Sequence, residues 1–285
     1  MMEVGEKLTR RSFLKATSLG FLLIPPLKKK VERVSPSVQG KPKAILVDVR
    51  RCVGCKACQV ACKSWNNLPA EETEIMETEY TNPTSLSATT WNYIRFEEVE
   101  NGGSVKWTMV SMRCMHCLEP TCVSVCPTMA LWKREDGPVL YNVERCIGCR
   151  YCVNACPWGV PSFDDEAKAI RKCTMCFDRI DVGLKPACVT VCQTEALQFG
   201  DRDEILEKAR NSGAPYIYGE KEAGGTSVIY VSDVPLKEIG LPKVDYRTPS
   251  AFNLELLKQF FGIGIVSLII VPVAYYLLKR GRKTE

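Results

Sequence analysis

The sequence predicts an α+β, loop-rich chain that is internally duplicated and ends in a single membrane-spanning helix. Three observations carry that expectation. Sixteen cysteines fall into four groups of four, the stretches around those groups repeat one another, and an uncharged run of twenty residues precedes a basic tail. Over 285 residues, 46% hydrophobic and 25% charged, there is too much apolar side chain for a disordered chain. A mean hydropathy of −0.08 excludes a polytopic membrane protein.

The net charge of +5 divides unevenly: residues 1–43 carry +7, residues 279–285 carry +3, and the body between them carries −5. Basic ends on an acidic body argue against nucleic-acid binding. At the N-terminus, Thr9-Arg10-Arg11-Ser12-Phe13-Leu14-Lys15 precedes the apolar stretch 16–27. Arg10 and Arg11 ahead of a short apolar run form the pattern of a twin-arginine export signal. Twelve residues broken by Ser18, Gly20 and Pro25-Pro26 are too few to span a bilayer, which needs ~20. No Ala-x-Ala site follows, so cleavage stays open. Residues 28–43 read as a linker.

At the other end, Gln259–Leu278 holds no formal charge. As a helix it spans ~30 Å, the thickness of a bilayer core. Lys279, Arg280, Arg282 and Lys283 follow, against Lys258 alone before it. The positive-inside rule then expects the C-terminus in the cytoplasm and residues 1–258 outside. Both ends give the same orientation, with the helix 259–278 meeting membrane lipid and the body on the periplasmic side.

Group I is Cys52, Cys55, Cys58, Cys62 and group II is Cys114, Cys117, Cys122, Cys126. Group III is Cys146, Cys149, Cys152, Cys156 and group IV is Cys173, Cys176, Cys188, Cys192. Groups I and III are C-x2-C-x2-C-x3-C, while II and IV widen the middle gap to four and eleven residues. A 4Fe–4S cube needs one thiolate per iron; a tight loop supplies three, and the fourth cysteine reaches the other cluster of a pair. Gly54 and Gly148 let the loop backbone approach the sulfides. Pro127 and Pro157 follow the fourth cysteines of groups II and III, as in the bacterial ferredoxin run.

Disulfides would leave strained short-range pairings among such closely spaced cysteines. Structural zinc has no use for a third cysteine in the same loop, and redox C-x2-C motifs come singly. Four 4Fe–4S clusters are the simplest count for sixteen thiols.

Arg51-Cys52-Val53-Gly54-Cys55-Lys56 matches Arg145-Cys146-Ile147-Gly148-Cys149-Arg150, and Cys126-Pro127-Thr128-Met129-Ala130-Leu131 matches Cys192-Gln193-Thr194-Glu195-Ala196-Leu197. A duplicated two-cluster ferredoxin is implied. The repeats permit groups I–II with III–IV, or I–IV with II–III, and spacing does not choose.

Elsewhere, residues 91–98 and 104–112 alternate around Asn101-Gly102-Gly103 and predict a β-hairpin. Residues 203–210 predict a helix and 227–231 a strand. The acidic stretch 71–79 is a solvated face or a docking patch. His116, the only histidine, is either a hydrogen-bond donor tuning a cluster or an exposed loop residue, and no ligand. Without a second histidine the chain cannot hold a haem between two imidazoles. Lys172 and Arg51, beside first cysteines, raise a cluster potential by their charge or lie on the surface.

With CVGCKACQVACKSWN (52–66), SATTWNYIRFEEVE (87–100), CMHC (114–117) and CVTVCQTEALQFGDRDE (188–204), the chain resembles the iron–sulfur (beta) subunits of membrane-bound formate dehydrogenases. More loosely it resembles the equivalent subunits of hydrogenases and of dimethyl-sulfoxide and polysulfide reductases. That resemblance implies nested ligation, with Cys52, Cys55, Cys58 and Cys192 on cluster 1, and Cys173, Cys176, Cys188 and Cys62 on cluster 2. Cys114, Cys117, Cys122 and Cys156 would hold cluster 3, and Cys146, Cys149, Cys152 and Cys126 cluster 4. The implied domains are two interleaved bacterial-ferredoxin-like units, 44–105 with 169–205 and 106–168, then an extension 206–250, an anchor 251–279 and a tail 280–285. Implied partners are a molybdenum- or tungsten-pterin (or NiFe) catalytic subunit and a membrane cytochrome b that reacts with quinone. Two features depart from the formate dehydrogenase pattern. Gln193 stands where proline often follows the last cysteine, and the export signal is carried on this subunit, as is common in the hydrogenase branch.

The function expected is electron transfer without a substrate of its own, since no nucleotide loop, triad or pterin signature is present. A free-standing redox enzyme with an open iron is disfavoured because sixteen cysteines leave none unligated. A zinc-bound structural or assembly protein is the alternative from a different class.

Overall fold

The computed structural model describes residues 41–71, 80–101 and 103–245. The twin-arginine pair, the apolar run 259–278 and most of the acidic stretch 71–79 lie outside these residues. Among the described residues no helix is long and apolar enough to cross a membrane.

Strand β1 (Lys43–Asp48) opens the fold at the end of the expected linker. Helix α1 (Ala57–Trp65) follows, then the hairpin β2 (Asn92–Asn101) and β3 (Ser104–Arg113). This is the hairpin expected from the glycine turn, its strands paired from Asn92↔Arg113 to Asn101↔Ser104. Next come the short helix α2 (Thr121–Ser124), hairpin β4 (Leu131–Lys133) and β5 (Val139–Tyr141), helix α3 (Tyr151–Ala155), and hairpin β6 (Ser162–Asp164) and β7 (Ala169–Arg171). Helices α4 (Phe177–Asp181) and α5 (Ala187–Thr190) lead to β8 (Leu197–Asp201) and α6 (Arg202–Arg210). Strands β9 (Tyr216–Tyr218) and β10 (Val228–Ser232) complete the described strands and α-helices, beside 3-10 turns at Val49–Arg51 and Glu222–Gly224.

The largest sheet runs β8-β1-β10-β9. Its centre is a parallel pair, β1 with β10, in the register Ile45↔Val228 to Asp48↔Val231. A strand buried on both faces reads as a continuous apolar run, which is the composition of both central strands. Side chains alternate in direction along a strand, so one face presents Ile45, Val47, Val228 and Tyr230 to the core that also holds Met115, Met175 and Leu197. The opposite face presents Ala44, Leu46, Ile229 and Val231 to Ile205, Leu206 and Ala209 of α6. Burying one such Val, Leu or Ile side chain contributes ~1.5–3 kcal/mol.

Helix α6 carries Asp203 and Glu204 in its first turn and Lys208 and Arg210 in its last, the arrangement that complements its dipole. Gln59 on α1 accepts a hydrogen bond from the Ile94 N–H of β2 at 2.8 Å within the core. That bond ties the helix carrying Cys58 and Cys62 to the long hairpin.

Candidate metal centres

The repeated sequence motifs fold into repeated local geometry. In group I, Gly54 takes a φ of +68° and Lys56 one of 58° before α1; in group III, Gly148 (+68°) and Arg150 (59°) do the same before α3. This left-handed backbone turns each loop back on itself so that its first three cysteines line one cavity. An aromatic ring from a neighbouring hairpin closes each loop from outside. A Cβ on Gly54 would meet the Phe96 ring at 2.7 Å, and one on Gly148 the Phe163 ring at 3.1 Å. Lys56 Nζ lies 5.4 Å from the Phe96 centroid and Arg150 Cζ 3.9 Å from that of Phe163. The duplication therefore extends to side chains that are not cysteine.

Groups II and IV repeat a different unit. Pro120 and Pro186 lead into α2 and α5, whose Ser124 and Thr190 hydroxyls donate back to those prolines' carbonyls. Beyond the fourth cysteine, Met129 and Glu195 both take a φ of 51°. The carbonyls of Ala130 and Ala196 then accept bonds from the Asn142 and Asp48 N–H groups, each at 2.8 Å.

The fold brings group I to group IV and group II to group III. One cavity is lined by Cys52, Cys55, Cys58 and Cys192. A second is lined by Cys62, Cys173, Cys176 and Cys188. A third is lined by Cys126, Cys146, Cys149 and Cys152. Cys114 and Cys156 lie close enough to Cys117 and Cys122 to raise the pKa of both thiols, and these four make the remaining set, between the second cavity and that of Cys146. Neighbouring sets come within electrostatic range of one another in a single order, Cys58 with Cys188, Cys173 with Cys114, and Cys122 with Cys152. Cys55 and Cys149, in the first and last sets, are the exposed cysteines.

Most of these thiols sit where a free thiolate is unfavourable. Burial pushes Cys52 and Cys152 up to about 11, and Cys122 and Cys173 up to about 12. Burial works on Cys126 in the same direction, but donors from Leu131, Thr128 and Ala130 outweigh it and leave this thiol below its ordinary value. Buried thiolates of this kind require cationic compensation, which iron supplies. Among the described residues no three of His, Cys, Asp or Glu converge as a single-ion site does. Each of the three cavities gathers four cysteines, one thiolate for each iron of a cube. Arg113 Nε, in the lining of the second cavity, is a buried donor with no protein acceptor. Such an orphan donor fits the sulfides of a cluster.

Two basic residues that precede first cysteines are buried near cysteines of other groups. Arg113 precedes the first cysteine of group II, yet its Nη1 donates to Cys188 Sγ of group IV at 3.0 Å. Burial opposes its charge, but Cys188, Tyr230, Cys58 and Cys173 outweigh that effect and raise its pKa. Lys172 precedes the first cysteine of group IV and faces Cys122 and Cys156. Its ammonium donates to the Cys173 carbonyl at 2.9 Å and to that of Val139. Lys172 is thus buried, whereas Arg51 is exposed and pairs with Glu195 at 3.2 Å. Sequence reasoning missed Arg113, although a basic residue precedes the first cysteine of all four groups. Groups II and IV open directly from β3 and β7, so this residue points inward; groups I and III open from turns, and Arg51 and Arg145 face solvent.

His116 is buried, not an exposed loop residue. Its Nδ1 accepts the Val139 N–H at 2.9 Å, and its Nε2 lies 3.5 Å from Cys173 Sγ. Burial first, then Lys172, Lys133 and Arg113, holds the ring well below its usual pKa and therefore neutral.

Two family profiles, each described as a 4Fe–4S dicluster domain, match residues 51–130 and 105–202. The iron–sulfur subunit of the nitrate-inducible formate dehydrogenase of Escherichia coli (strain K12) is 41% identical over 249 residues, 82% of this chain and 84% of that one. The formate dehydrogenase iron–sulfur subunit of Haemophilus influenzae is 36% identical, covering 82% of this chain and 80% of its own. The hydrogenase-2 operon protein HybA of Escherichia coli O157:H7 is 31% identical over 325 aligned positions, 98% of this chain and 97% of its own.

Proposed function

We propose, from the premise that the chain belongs to the family of formate dehydrogenase iron–sulfur subunits, that it relays electrons between a catalytic subunit and a membrane cytochrome b. The chain is an electron-transfer subunit carrying four 4Fe–4S clusters. Each cluster, when bound, takes up and releases one electron. The polypeptide supplies thiolates, excludes water, and sets each potential through the hydrogen bonds and charges around the sulfurs.

The ligand sets we assign are Cys52, Cys55, Cys58, Cys192; Cys173, Cys176, Cys188, Cys62; Cys114, Cys117, Cys122, Cys156; and Cys146, Cys149, Cys152, Cys126. The observation that carries this assignment is the set of cavities, each of the three lined by four cysteines. The order in which the sets neighbour one another supports a wire in that sequence, with the exposed Cys55 and Cys149 toward the partners. The corresponding division is two interleaved ferredoxin-like units, 44–105 with 169–205 and 106–168, followed by the extension 206–250.

A molybdenum- or tungsten-pterin subunit oxidising formate is the first reading for the catalytic partner, because formate dehydrogenase subunits cover most of this chain. A NiFe hydrogenase is the second. It is favoured by the hydrogenase-2 operon protein, whose alignment takes in 98% of this chain, and by Arg10-Arg11 on this subunit. The twin-arginine pair and the basic tail support a body outside the cytoplasmic membrane, anchored by 259–278. Isolation of the native complex, with analysis for molybdenum, tungsten and nickel, tests the partner. Nickel with neither molybdenum nor tungsten would overturn the first reading, and a preparation holding none of the three would overturn both.

A further inference from the structure

His116 stands where the two cluster pairs meet. It lies between Cys114 and Cys117, both in the third set, yet its ring reaches Cys173 of the second. The tautomer follows from its other nitrogen. Nδ1 accepts the Val139 N–H at 2.9 Å, so that atom carries no proton and the ring proton resides on Nε2. Val139 is held in turn from its other side, since its carbonyl accepts from Lys172. The His116 backbone is constrained too: its φ is 47°, matched by 60° at Met175, its counterpart in group IV. Met175 fills the equivalent position with an apolar side chain, so the repeat places a donor at one of two related sites. A side chain buried to this degree, with both ring nitrogens engaged, is fixed relative to both loops.

We propose that His116 is a positioning residue for electron passage between the two cluster pairs, its Nε2–H donating to Cys173 Sγ and thereby joining the second and third ligand sets. A hydrogen bond to a ligand sulfur favours the more negative, reduced form of the cluster and raises its potential. The bond does so for the Cys173 cluster alone, although His116 belongs to the loop of its neighbour. It also provides a bonded route from the Cys117 backbone through the imidazole to Cys173. One electron leaves one cluster as the other gains it, and the proton stays on Nε2 throughout.

Because His116 is the only histidine, isotopic labelling of histidine is site-specific. Full-length protein is purified anaerobically with histidine carrying ¹⁵N only in the ring, reduced, and studied by pulsed EPR. The expected result is a weak ring-¹⁵N coupling to one cluster. In His116→Phe that cluster's midpoint shifts downward while the other three hold, and His116→Gln, which retains a donor, recovers most of the shift. Four intact clusters by iron and sulfide analysis with no ring coupling would overturn the inference, as would a shift confined to the cluster bound by Cys114 and Cys117. The labelling needs no substitution, so it decides the matter even if His116→Phe fails to fold. The inference rests on Cys173 sharing a cluster with Cys62. A ring coupling on a cluster that Cys62→Ser leaves unchanged would fault that ligand assignment while supporting the hydrogen bond.

Discussion

Arg113 donates from Nη1 to Cys188 Sγ at 3.0 Å, although the two residues lie 75 positions apart and in different cysteine groups. The same guanidinium donates to Asn92 Oδ1 at 3.1 Å and to the Ser111 hydroxyl, which fixes its plane against the second cavity. Charge-assisted hydrogen bonds are roughly twice as strong as neutral ones. A positive charge this close to a ligand sulfur stabilises the cluster most in its reduced state.

Replacing Arg113 by methionine is therefore expected to lower the midpoint of the cluster bound by Cys188. For a one-electron couple the fall is ~59 mV for each ~1.4 kcal/mol of differential stabilisation lost. Lysine at 113 should recover part of it. EPR-monitored redox titration checks both, with the cluster bound by Cys146 as the unaffected internal standard.

Cys62 belongs to group I in sequence, but it lines the cavity of Cys173, Cys176 and Cys188. Cys62→Ser is expected to alter or remove the spectroscopic signal of that cluster and leave the cluster of Cys52 in place. Loss of only the Cys52 cluster's signal would contradict nested ligation.

Gly54 and Gly183 separate two causes of glycine dependence. Both have left-handed backbone, but a Cβ on Gly183 meets nothing within 4 Å, whereas one on Gly54 strikes Phe96 at 2.7 Å. Gly183→Ala should cost only the backbone term, about 1–2 kcal/mol. Gly54→Ala should add about 1–3 kcal/mol of overpacking and lower the iron content of the first site. Thermal unfolding and iron analysis of both variants make the comparison; equal losses would mean that the Phe96 contact contributes nothing.

Exchange of Arg10 and Arg11 for lysine is expected to retain the chain in the cytoplasm when it is produced without partners. Fractionation with a periplasmic marker measures this, and undiminished export would remove the twin-arginine reading.

Much of this protein was legible in local sequence. The cysteine spacing announced the number and type of clusters because a cube of iron demands four thiols from short loops. The hairpin around residues 101–103, helix α6 and strand β10 followed from turn chemistry and periodicity, which act over a few residues. The duplication was visible in the cysteine motifs themselves.

Spacing left both pairings open and the family resemblance implied one of them; only the tertiary structure shows which groups share a cavity, because that depends on residues more than 130 positions apart, such as Cys58 and Cys192. It also decided the parallel pairing of β1 with β10, which requires closing a loop of about 180 residues that no local signal encodes. The fates of Arg113, Lys172 and His116 belong to the same class. Their types were plain in the sequence, but burial and direction are properties of the strand ends and loops that carry them. A basic residue before a cysteine is exposed after a turn and buried after a strand, and only the packed fold distinguishes the two.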